Sequence, residues 1–302
     1  MRSLTELATG RPTRMTEILC VGLTTIDITY RTPTVPSVGK KTQATSASLS
    51  FGGPAANAAA TAAAMGLAVT LCSAVGNGPF ADVAVAELAK AEVELLAARS
   101  AAQLPISAVT ICDDGSRTVV SANGINELPA EPSTLVEVTR SCKVVLVDGH
   151  YPELALAALQ SARAAGIPTV IDLGSWKDSL PMLLPYCSIA IASADFSVPG
   201  SSIYEYLFAA GIEFAAVTNG ESEIVWRDAH GAAGHVCVPQ VRAIDTNGAG
   251  DVLHGAFAAF LSRGAEAVTA LEQAAVLASE SCTRFGARIP AAAALHFGGR
   301  QQ

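Results

Sequence analysis

The chain is 302 residues long; half of its residues are hydrophobic and 15% are charged. This composition is typical of a compact globular fold and excludes a disordered chain. The formal net charge of -8 argues against nucleic acid or an anionic membrane surface as a partner, because both bind basic patches. An anionic substrate stays compatible, provided that a metal ion or main-chain amides supply the positive charge.

The cysteines and the start of the chain predict a cytoplasmic protein. The seven cysteines occur singly, with no C-x-x-C pair, which indicates buried apolar residues in a reducing compartment and no zinc site. The first residues hold no apolar core of signal-peptide length, and no stretch has ~18 uninterrupted apolar residues. We expect a flexible tail at residues 1–14, one domain at residues 15–290 and a C-terminal tail at residues 291–302.

From Met15 onward, short apolar runs alternate with alanine-rich helical runs. This alternation predicts an α/β fold with a central, mostly parallel sheet covered by helices on both faces, a three-layer αβα arrangement. The predicted central strands are "ILCVGL", "LAVTLCSAV", "VVLVDG", "PTVIDL", "IAIAS" and "EFAAVTNG". The predicted helices are "PAANAAATAAAM", "ADVAVAELAKA", "PELALAALQSARAAG", "IYEYLFAAG", "AGDVLHGAFAAFLSRG" and "AVTALEQAAVLASESCTRFG".

Two segments, near residues 31–51 and 105–124, interrupt the parallel pattern. They contain "KKTQATSASLSF" and "ISAVTICDDGSRTVVSANG", which are typical of antiparallel strands. The pair Asp114-Gly115 is a strong turn signal for a hairpin in the second segment. Both segments are either ordinary edge strands or a small β-strand lid that excludes water from a reacting phosphate.

The first motif is "SFGGPAANAAATAAAMG", in which Gly52 and Gly53 precede a helix that carries Asn57. Adjacent glycines let the backbone approach a ligand, and the Asn57 amide can donate to and accept from a sugar hydroxyl. Close packing alone would explain the same pattern. Asp27 follows the first strand, where ligands gather in open α/β sheets, and it either holds a polyol or belongs to a turn.

The second motif is "AIDTNGAGDVLHGAFAAF", in which a glycine-rich turn leads into an apolar helix. Asp251, in the first turn of that helix, could simply cap it. Alternatively, Gly248, Ala249 and Gly250 leave N–H groups open to an incoming anion, while Asp251 faces the group that receives the anion.

Four further polar residues allow two interpretations each. His150, after the strand "VVLVDG", and Asn126, after the second lid segment, either contact a sugar or serve the local structure. His254 lies on the same helix face as Asp251 and either reaches the nucleotide or the base, or is an ordinary buried histidine. Asp172, which ends "TVIDL", either lines a nucleotide site or caps the chain that follows.

The motifs "GLTTID", "FGGPAAN", "VTNG" and "DTNGAGDVLHGAF" occur in this order. With them the chain resembles the ribokinase-like (PfkB-type) carbohydrate kinase family from about residue 17 to residue 290. The resemblance implies a ribokinase-like fold and transfer of the γ-phosphate of ATP to a primary hydroxyl of a sugar. "GAGDVLHGA" followed by "SCTRFGARIP" is most similar to members that act on ketohexoses or their sulfonated relatives.

The resemblance also implies residue roles. Asp251 would be the catalytic base, and the amides of Gly248, Ala249, Gly250 and Asp251 would form an anion hole for the phosphoryl group. The residues that would bind the sugar are Asp27, Gly53 and Asn57, together with the candidates Gly52, Asn126 and His150. The residues that would contact the nucleotide are Thr218 and Gly220, together with the candidates Thr246, Gly248 and Gly250. The main chain around Asp245 would hold a monovalent cation such as K⁺.

The chain departs from the family pattern at the Mg²⁺ and sugar sites. The usual N-x-x-E motif should fall near "IASADFSVPG", where Ser193 and Asp195 are the nearest polar residues. Mg²⁺ is still expected with ATP, because the triphosphate is its main ligand, but no protein ligand is assigned. Thr25 stands where many pentose kinases carry asparagine, and Pro54 where they often carry lysine, which disfavours ribose.

Other functions are open on the same fold. They are a nucleoside or sugar-phosphate kinase, an ATP-dependent hydrate dehydratase and a non-catalytic sugar or nucleotide sensor. The dehydratases lack the "GGPAAN" element, and a sensor would not need Asp251. An exposed apolar face of the lid would favour a homodimer in which the lids pack together.

Overall fold

The computed structural model describes residues 15–98, 103–122, 134–198, 200–286 and 289. Its strands are β1 (Ile18–Val21), β2 (Thr25–Thr32), β3 (Ser46–Gly52), β4 (Val69–Ala74), β5 (Val93–Ala98), β6 (Ile106–Cys112), β7 (Arg117–Ala122), β8 (Val144–Val147), β9 (Thr169–Leu173), β10 (Ile189–Ser193), β11 (Phe214–Asn219), β12 (Ser222–Asp228) and β13 (Ala233–Val236). Its helices are α1 (Pro54–Ala64), α2 (Pro79–Lys90), α3 (Leu135–Ser141), α4 (Pro152–Ala164), α5 (Leu180–Leu183), α6 (Ile203–Ala209), α7 (Ala249–Ser262) and α8 (Ala267–Ser281).

Within the described part of the chain, nine strands form one sheet in the order β13-β12-β11-β10-β9-β8-β1-β4-β5. The strands from β11 to β5 in that order are parallel, and β12 and β13 extend one edge in antiparallel fashion. All six predicted central strands lie in the parallel part. β5, β12 and β13 were not predicted, because charged residues interrupt β5 and β12 and because the four residues of β13, "AGHV", form no apolar run.

The central strands are mostly apolar and buried because helices cover both faces of the sheet. In β1, Ile18 and Cys20 join one hydrophobic core, whereas Leu19 and Val21 join the other. Residues of α1, α2, α7 and α8 form the first core with the sheet, and residues of α3 to α6 form the second. The three-layer prediction is therefore confirmed. None of the described helices is long and apolar enough to cross a membrane.

A smaller sheet of four described strands has the order β3-β2-β6-β7. β6 and β7 form the predicted hairpin, in which Ser116 N–H donates to Asp114 Oδ1 at 2.9 Å and Gly115 has a φ of 82°. β2 was not predicted as a strand; it pairs antiparallel with β3 and parallel with β6. Asp27 therefore lies on a strand of the small sheet and not in a turn. We call this sheet the lid.

Candidate active site

The chain turns sharply just before α7. Gly248 has a φ of 74° and a ψ of 8°, a left-handed conformation that glycine adopts without steric cost. Ala249 N–H donates to Thr246 O at 3.3 Å, a long bond. The N–H groups of Gly250 and Asp251 lie in the first helical turn, where a helix offers no main-chain acceptor. The turn thus presents N–H groups and the positive end of the helix dipole to an anion.

Helices α1 and α7 pack closely because the residues between them are small. A Cβ atom on Gly255 would lie 2.3 Å from Ala58 O, so that only glycine fits without a shift of the helices. This approach brings Asn57 to Asp251, and Asn57 Nδ2 donates to Asp251 Oδ2 at 2.7 Å. The sequence assigned Asn57 to the sugar; the structure joins it to the candidate base as well.

The Asp251 carboxylate is partly buried and has other acidic groups around it. Burial raises the pKa of Asp251 to about 7, and the negative charges of Asp172 and, more weakly, Asp148 add to the rise. The hydrogen bond from Asn57 and the charge of His254 lower the pKa and oppose that rise. A carboxylate that titrates near neutral pH can accept a proton and release it again at physiological pH.

His254, one turn into α7, is buried beneath the same turn. Its Nδ1 lies 2.7 Å from Gly250 O, and its Nε2 lies 3.3 Å from Ile191 O on β10. The Nε2 also lies 3.6 Å from Asp172 Oδ1, at the end of β9. Of the two sequence interpretations, the structure favours the buried histidine, and it pairs His254 with Asp172.

Asp27 faces the space between the lid and α1. Thr25 Oγ1 donates to Asp27 Oδ1 at 2.7 Å. A Cβ atom on Gly52 would lie 2.1 Å from Asp27 Oδ2, and one on Gly53 would lie 2.4 Å from Leu23 O. Both glycines therefore make room for groups of the protein; Gly53 also lines a cavity with Asp27, and the approach of a ligand to these glycines stays a prediction. Gly52 in particular provides the space in which the Asp27 carboxylate lies.

Asp148, which the sequence analysis missed, holds the main chain at this end of the site. It is 3% exposed; its Oδ2 accepts the N–H groups of Leu23 (2.8 Å) and Ala55 (3.1 Å), and its Oδ1 accepts that of His150 (3.0 Å). Burial raises the pKa of Asp148, but the His150 charge and these hydrogen bonds outweigh it and hold the pKa below its ordinary value. The available signal was an aspartate directly after an apolar strand.

Two cavities lie between the lid and the helical turn. The first, about 240 Å³, is lined by Asp27, Asn57, His150 and Asp251 among others. The second, about 410 Å³, shares Asp27 and Asn57 and also contacts Asp245. Residues predicted from separate motifs therefore line one space. The sugar candidate Asn126, like the tails 1–14 and 291–302, lies outside the described residues.

A further cavity of about 530 Å³ lies at the opposite, amino-terminal edge of the sheet. Its lining includes Thr169, Ile189 and Phe214, at the first positions of β9, β10 and β11. It contains none of the predicted site residues, and ligands of open α/β sheets bind at the carboxyl ends of the strands. We therefore place the active site at the two cavities beside the lid.

The predicted nucleotide residues lie along the same carboxyl edge. Thr218 Oγ1 donates to Ala192 O on β10 at 3.3 Å, and Gly220 has a φ of 56° in the turn between β11 and β12. Neither residue lines the two cavities beside the lid. Thr246, before α7, is reached from the lid, since Arg117 Nη1 donates to Thr246 Oγ1 at 3.4 Å.

The described residues contain no group of three or more His, Cys, Asp or Glu side chains that could hold a metal ion. Near the expected Mg²⁺ motif, Asp195 N–H donates to Ser193 Oγ at 3.1 Å. Asp245 is buried, and its carboxylate accepts the N–H groups of Asn247 (2.8 Å) and Gly286 (3.0 Å). The Asp245 carboxylate therefore holds the turn before α7, and a monovalent cation at the main chain around it stays a prediction.

Comparison with known proteins agrees with this geometry. Residues 15–294 match the pfkB family carbohydrate kinases. The ATP-dependent ribose-1-phosphate kinase of Halopiger xanaduensis is 28% identical over 294 residues, which cover 91% of this chain and 94% of that protein. The crystal structure of a ribokinase homologue from Agrobacterium tumefaciens has a TM-score of 0.83 and 26% identity, and it covers 95% of this chain and 100% of that one.

The Arabidopsis thaliana ribokinase, solved with ribose and ATP, has a TM-score of 0.77 at 18% identity and covers 95% of this chain and 100% of its own. This likeness shows the shared fold. Fold and site together define a sugar kinase, a phosphotransferase whose acceptor is a hydroxyl group. The chain belongs to the pfkB family of carbohydrate kinases.

Proposed function

We propose that the protein transfers the γ-phosphate of ATP to a primary hydroxyl of a free sugar, with Asp251 as the catalytic base. The observation that carries this proposal is the position of the Asp251 carboxylate. It lies at a helix start with open N–H groups, receives a 2.7 Å hydrogen bond from Asn57 and lines the same cavity as Asp27. A base, an anion site and a polar cavity thus occur together.

In the proposed reaction, the sugar binds in the 240 Å³ cavity and its hydroxyl oxygen attacks the γ-phosphorus. The hydroxyl proton passes to Asp251, and the bond from the phosphorus to the β,γ-bridging oxygen breaks, which leaves ADP. The N–H groups of Gly248, Ala249, Gly250 and Asp251 stabilise the equatorial oxygens. Because the transition state is loose, orientation and charge stabilisation contribute more than the strength of the base.

The nucleotide would lie along the carboxyl ends of β10 and β11. Thr218, Gly220 and Thr246 are placed to contact it there. Mg²⁺ would be held mainly by the triphosphate, and a monovalent cation such as K⁺ would bind beside Asp245.

The charges around the sugar cavity favour an uncharged polyol. The titratable groups among its described lining residues are Asp27, Asp251 and His150, so that two carboxylates face one imidazole. A phosphate on the sugar would be repelled by those carboxylates. We therefore favour a free sugar over a sugar phosphate, and we put a ketohexose first because of the resemblance carried by "GAGDVLHGA" and "SCTRFGARIP". The name of the Halopiger relative defines the alternative, a phosphorylated pentose.

The test is ATP consumption across ketohexoses, aldohexoses, pentoses, nucleosides and sugar phosphates, with Mg²⁺ and K⁺ present and Asp251→Asn in parallel. Turnover of a free sugar that falls by about 10²- to 10⁴-fold in the variant is the expected result. Turnover of sugar phosphates or nucleosides alone would overturn the substrate class. Equal turnover in the variant would remove Asp251 from the mechanism, and ATP binding without any transfer would favour the sensor or the dehydratase.

We also infer that two copies associate through their lids. One face of the lid exposes Tyr30, Leu49 and Val120 to solvent, the last at 69%, and exposed apolar faces of this kind mark interfaces. Light scattering should show a dimer, and Val120→Asp should yield monomers. A monomeric wild-type protein would contradict the inference.

A further inference from the structure

Every atom that faces the nitrogen atoms of the His254 ring in the described contacts is a hydrogen-bond acceptor. Nδ1 lies 2.7 Å from Gly250 O, whereas Nε2 lies 3.3 Å from Ile191 O and 3.6 Å from Asp172 Oδ1. A neutral imidazole has one N–H and one lone pair. Either neutral tautomer would therefore point a lone pair at an oxygen, and only the protonated ring donates on both sides.

The carbonyl that His254 contacts belongs to the peptide unit between Gly250 and Asp251. In a trans peptide the C=O and N–H point in opposite directions, and in a helix the N–H points toward the N-terminus. The C=O of this unit therefore points down the helix to His254, and its N–H points into the proposed anion hole. A hydrogen bond from a charged donor to the carbonyl fixes the plane of the peptide and polarises its N–H.

We infer that His254 is a positioning residue which, as an imidazolium paired with Asp172, orients and polarises the Asp251 N–H toward the transferred phosphoryl group. The inference rests on the proposed function, because it assigns that N–H to the anion hole. His254 itself lines neither cavity beside the lid and so acts through the peptide and not by contact with the substrate.

Several charged groups determine the field at His254. Asp172 Oδ1 lies 3.6 Å from the ring at the end of β9, and Asp251 lies on the same helix; Asn57, on α1, is neutral. Both carboxylates favour a positive ring. In return, the His254 charge lowers the pKa of Asp251. A neutral residue in place of His254 will therefore raise the pKa of Asp251, and the acidic limb of the plot of activity against pH will move to higher pH.

The first experiment needs no enzymatic activity. The chain contains five histidines, and nitrogen-15 labelling with long-range correlation spectra reports the protons on each ring; His254→Asn identifies the resonances of His254. The expected result near neutral pH is a ring with hydrogen on both nitrogens. A neutral tautomer there would overturn the inference, whatever the enzyme phosphorylates.

The second experiment separates positioning from packing. In His254→Asn the side-chain amide still reaches Gly250 O without the charge, and in His254→Leu neither donor is left. We expect kcat to fall about 10-fold in the first variant and about 100-fold in the second, with an unchanged KM for the sugar, and we expect the acidic limb to move upward in both. Unfolding curves report any loss of structure, and His230→Asn, on the surface, is the matched control.

Two outcomes would contradict the positioning role. One is an unchanged kcat and pH profile in a folded His254→Asn protein. The other is equal loss of sugar affinity, nucleotide affinity and stability, as packing alone would produce. If neither the wild-type protein nor the His254 variants transfer phosphate to any acceptor, the proposed function fails. The protonation state of the His254 ring, measured in the first experiment, still tests the pairing of His254 with Asp172.

Discussion

The amide of Asn57 donates a 2.7 Å hydrogen bond to the carboxylate of Asp251, a residue 194 positions away in the chain. Because this bond lowers the pKa of Asp251, Asn57→Ala should raise the pKa. The acidic limb of the profile of kcat/KM against pH, expected near pH 7 in the wild type, should therefore move to higher pH. Activity at about pH 9 should recover in part, since the base is ionised there in both proteins. A limb at an unchanged pH would mean that the bond does not control the base.

Replacement of the base should stabilise the fold at high pH. The folded pKa of Asp251 is raised from 3.8 to about 7, so its favourable contribution is complete below pH ~3.8 and is lost as the pH rises through about 7. Asp251→Asn, which carries no charge, should raise the free energy of unfolding by about 1–3 kcal/mol at about pH 8. At about pH 4 this gain should disappear. Urea unfolding at both values provides the measurement, and lower stability of the variant at high pH would argue against a strained carboxylate.

The contact between α1 and α7 should be intolerant of one added methyl group. In Gly255→Ala the new Cβ would lie 2.3 Å from Ala58 O, which forces the helices apart. We expect a loss of about 1–3 kcal/mol of stability and a lower kcat, because Asn57 and Asp251 separate. Gly174→Ala is the control, since its Cβ would lie 3.8 Å from the nearest atom. Thermal unfolding and steady-state kinetics of Gly255→Ala and Gly174→Ala are the measurements, and equal losses of stability and kcat in the two variants would contradict the prediction.

Gly52 should control sugar binding through Asp27. The Cβ of Gly52→Ala would lie 2.1 Å from Asp27 Oδ2 and would displace the carboxylate from its position beside Thr25. We expect the KM for the sugar to rise about 10-fold or more while the KM for ATP stays nearly constant. If the displacement of Asp27 is the cause, the double variant with Asp27→Ala should be no worse than Asp27→Ala alone. Additive effects of the two changes would point to another cause.

Asp148 should stabilise the fold near neutral pH. Its pKa is lowered, so its contribution is present above the unfolded value of 3.8 and is lost as the pH falls through the folded pKa. Asp148→Ala leaves the N–H groups of Leu23 and Ala55 without their acceptor and should cost about 2–4 kcal/mol. Asp148→Asn, which keeps one acceptor oxygen, should cost less. Asp113→Asn, at an exposed pair with Arg31, should change the free energy of unfolding little.

Periodicity and motifs were sufficient for the layers, and they singled out Asp27, Asn57 and Asp251, which the structure brings to one cavity. Central strands that are buried on both faces are mostly apolar along their length, and this signal is local. The glycine turn before Asp251 is also local, because the residues that open the N–H groups are adjacent. The family resemblance, carried by those motifs, is confirmed by the match over residues 15–294.

Relationships between distant segments could not be predicted in this way. β2 was missed although "TIDITYRT" alternates polar and apolar residues as a half-buried strand does, because only three residues separate it from β1. The partners of Asn57 and His254 depend on how α1, β9 and β10 pack against α7. Asp148 was overlooked because a single aspartate after a strand gives no indication of the N–H groups that it will collect.

The hydrogen bonds of Asp148 also bear on the order in which the molecule assembles. They join the carboxylate to Leu23, 125 positions earlier, and to Ala55, 93 positions earlier. Contacts across such distances form only after the entropy of closing long loops has been overcome. During synthesis, the turn after β1 and the start of α1 leave the ribosome before their acceptor exists. We therefore expect the end of the site that we propose for the sugar to be completed late, when β8 docks beside β1.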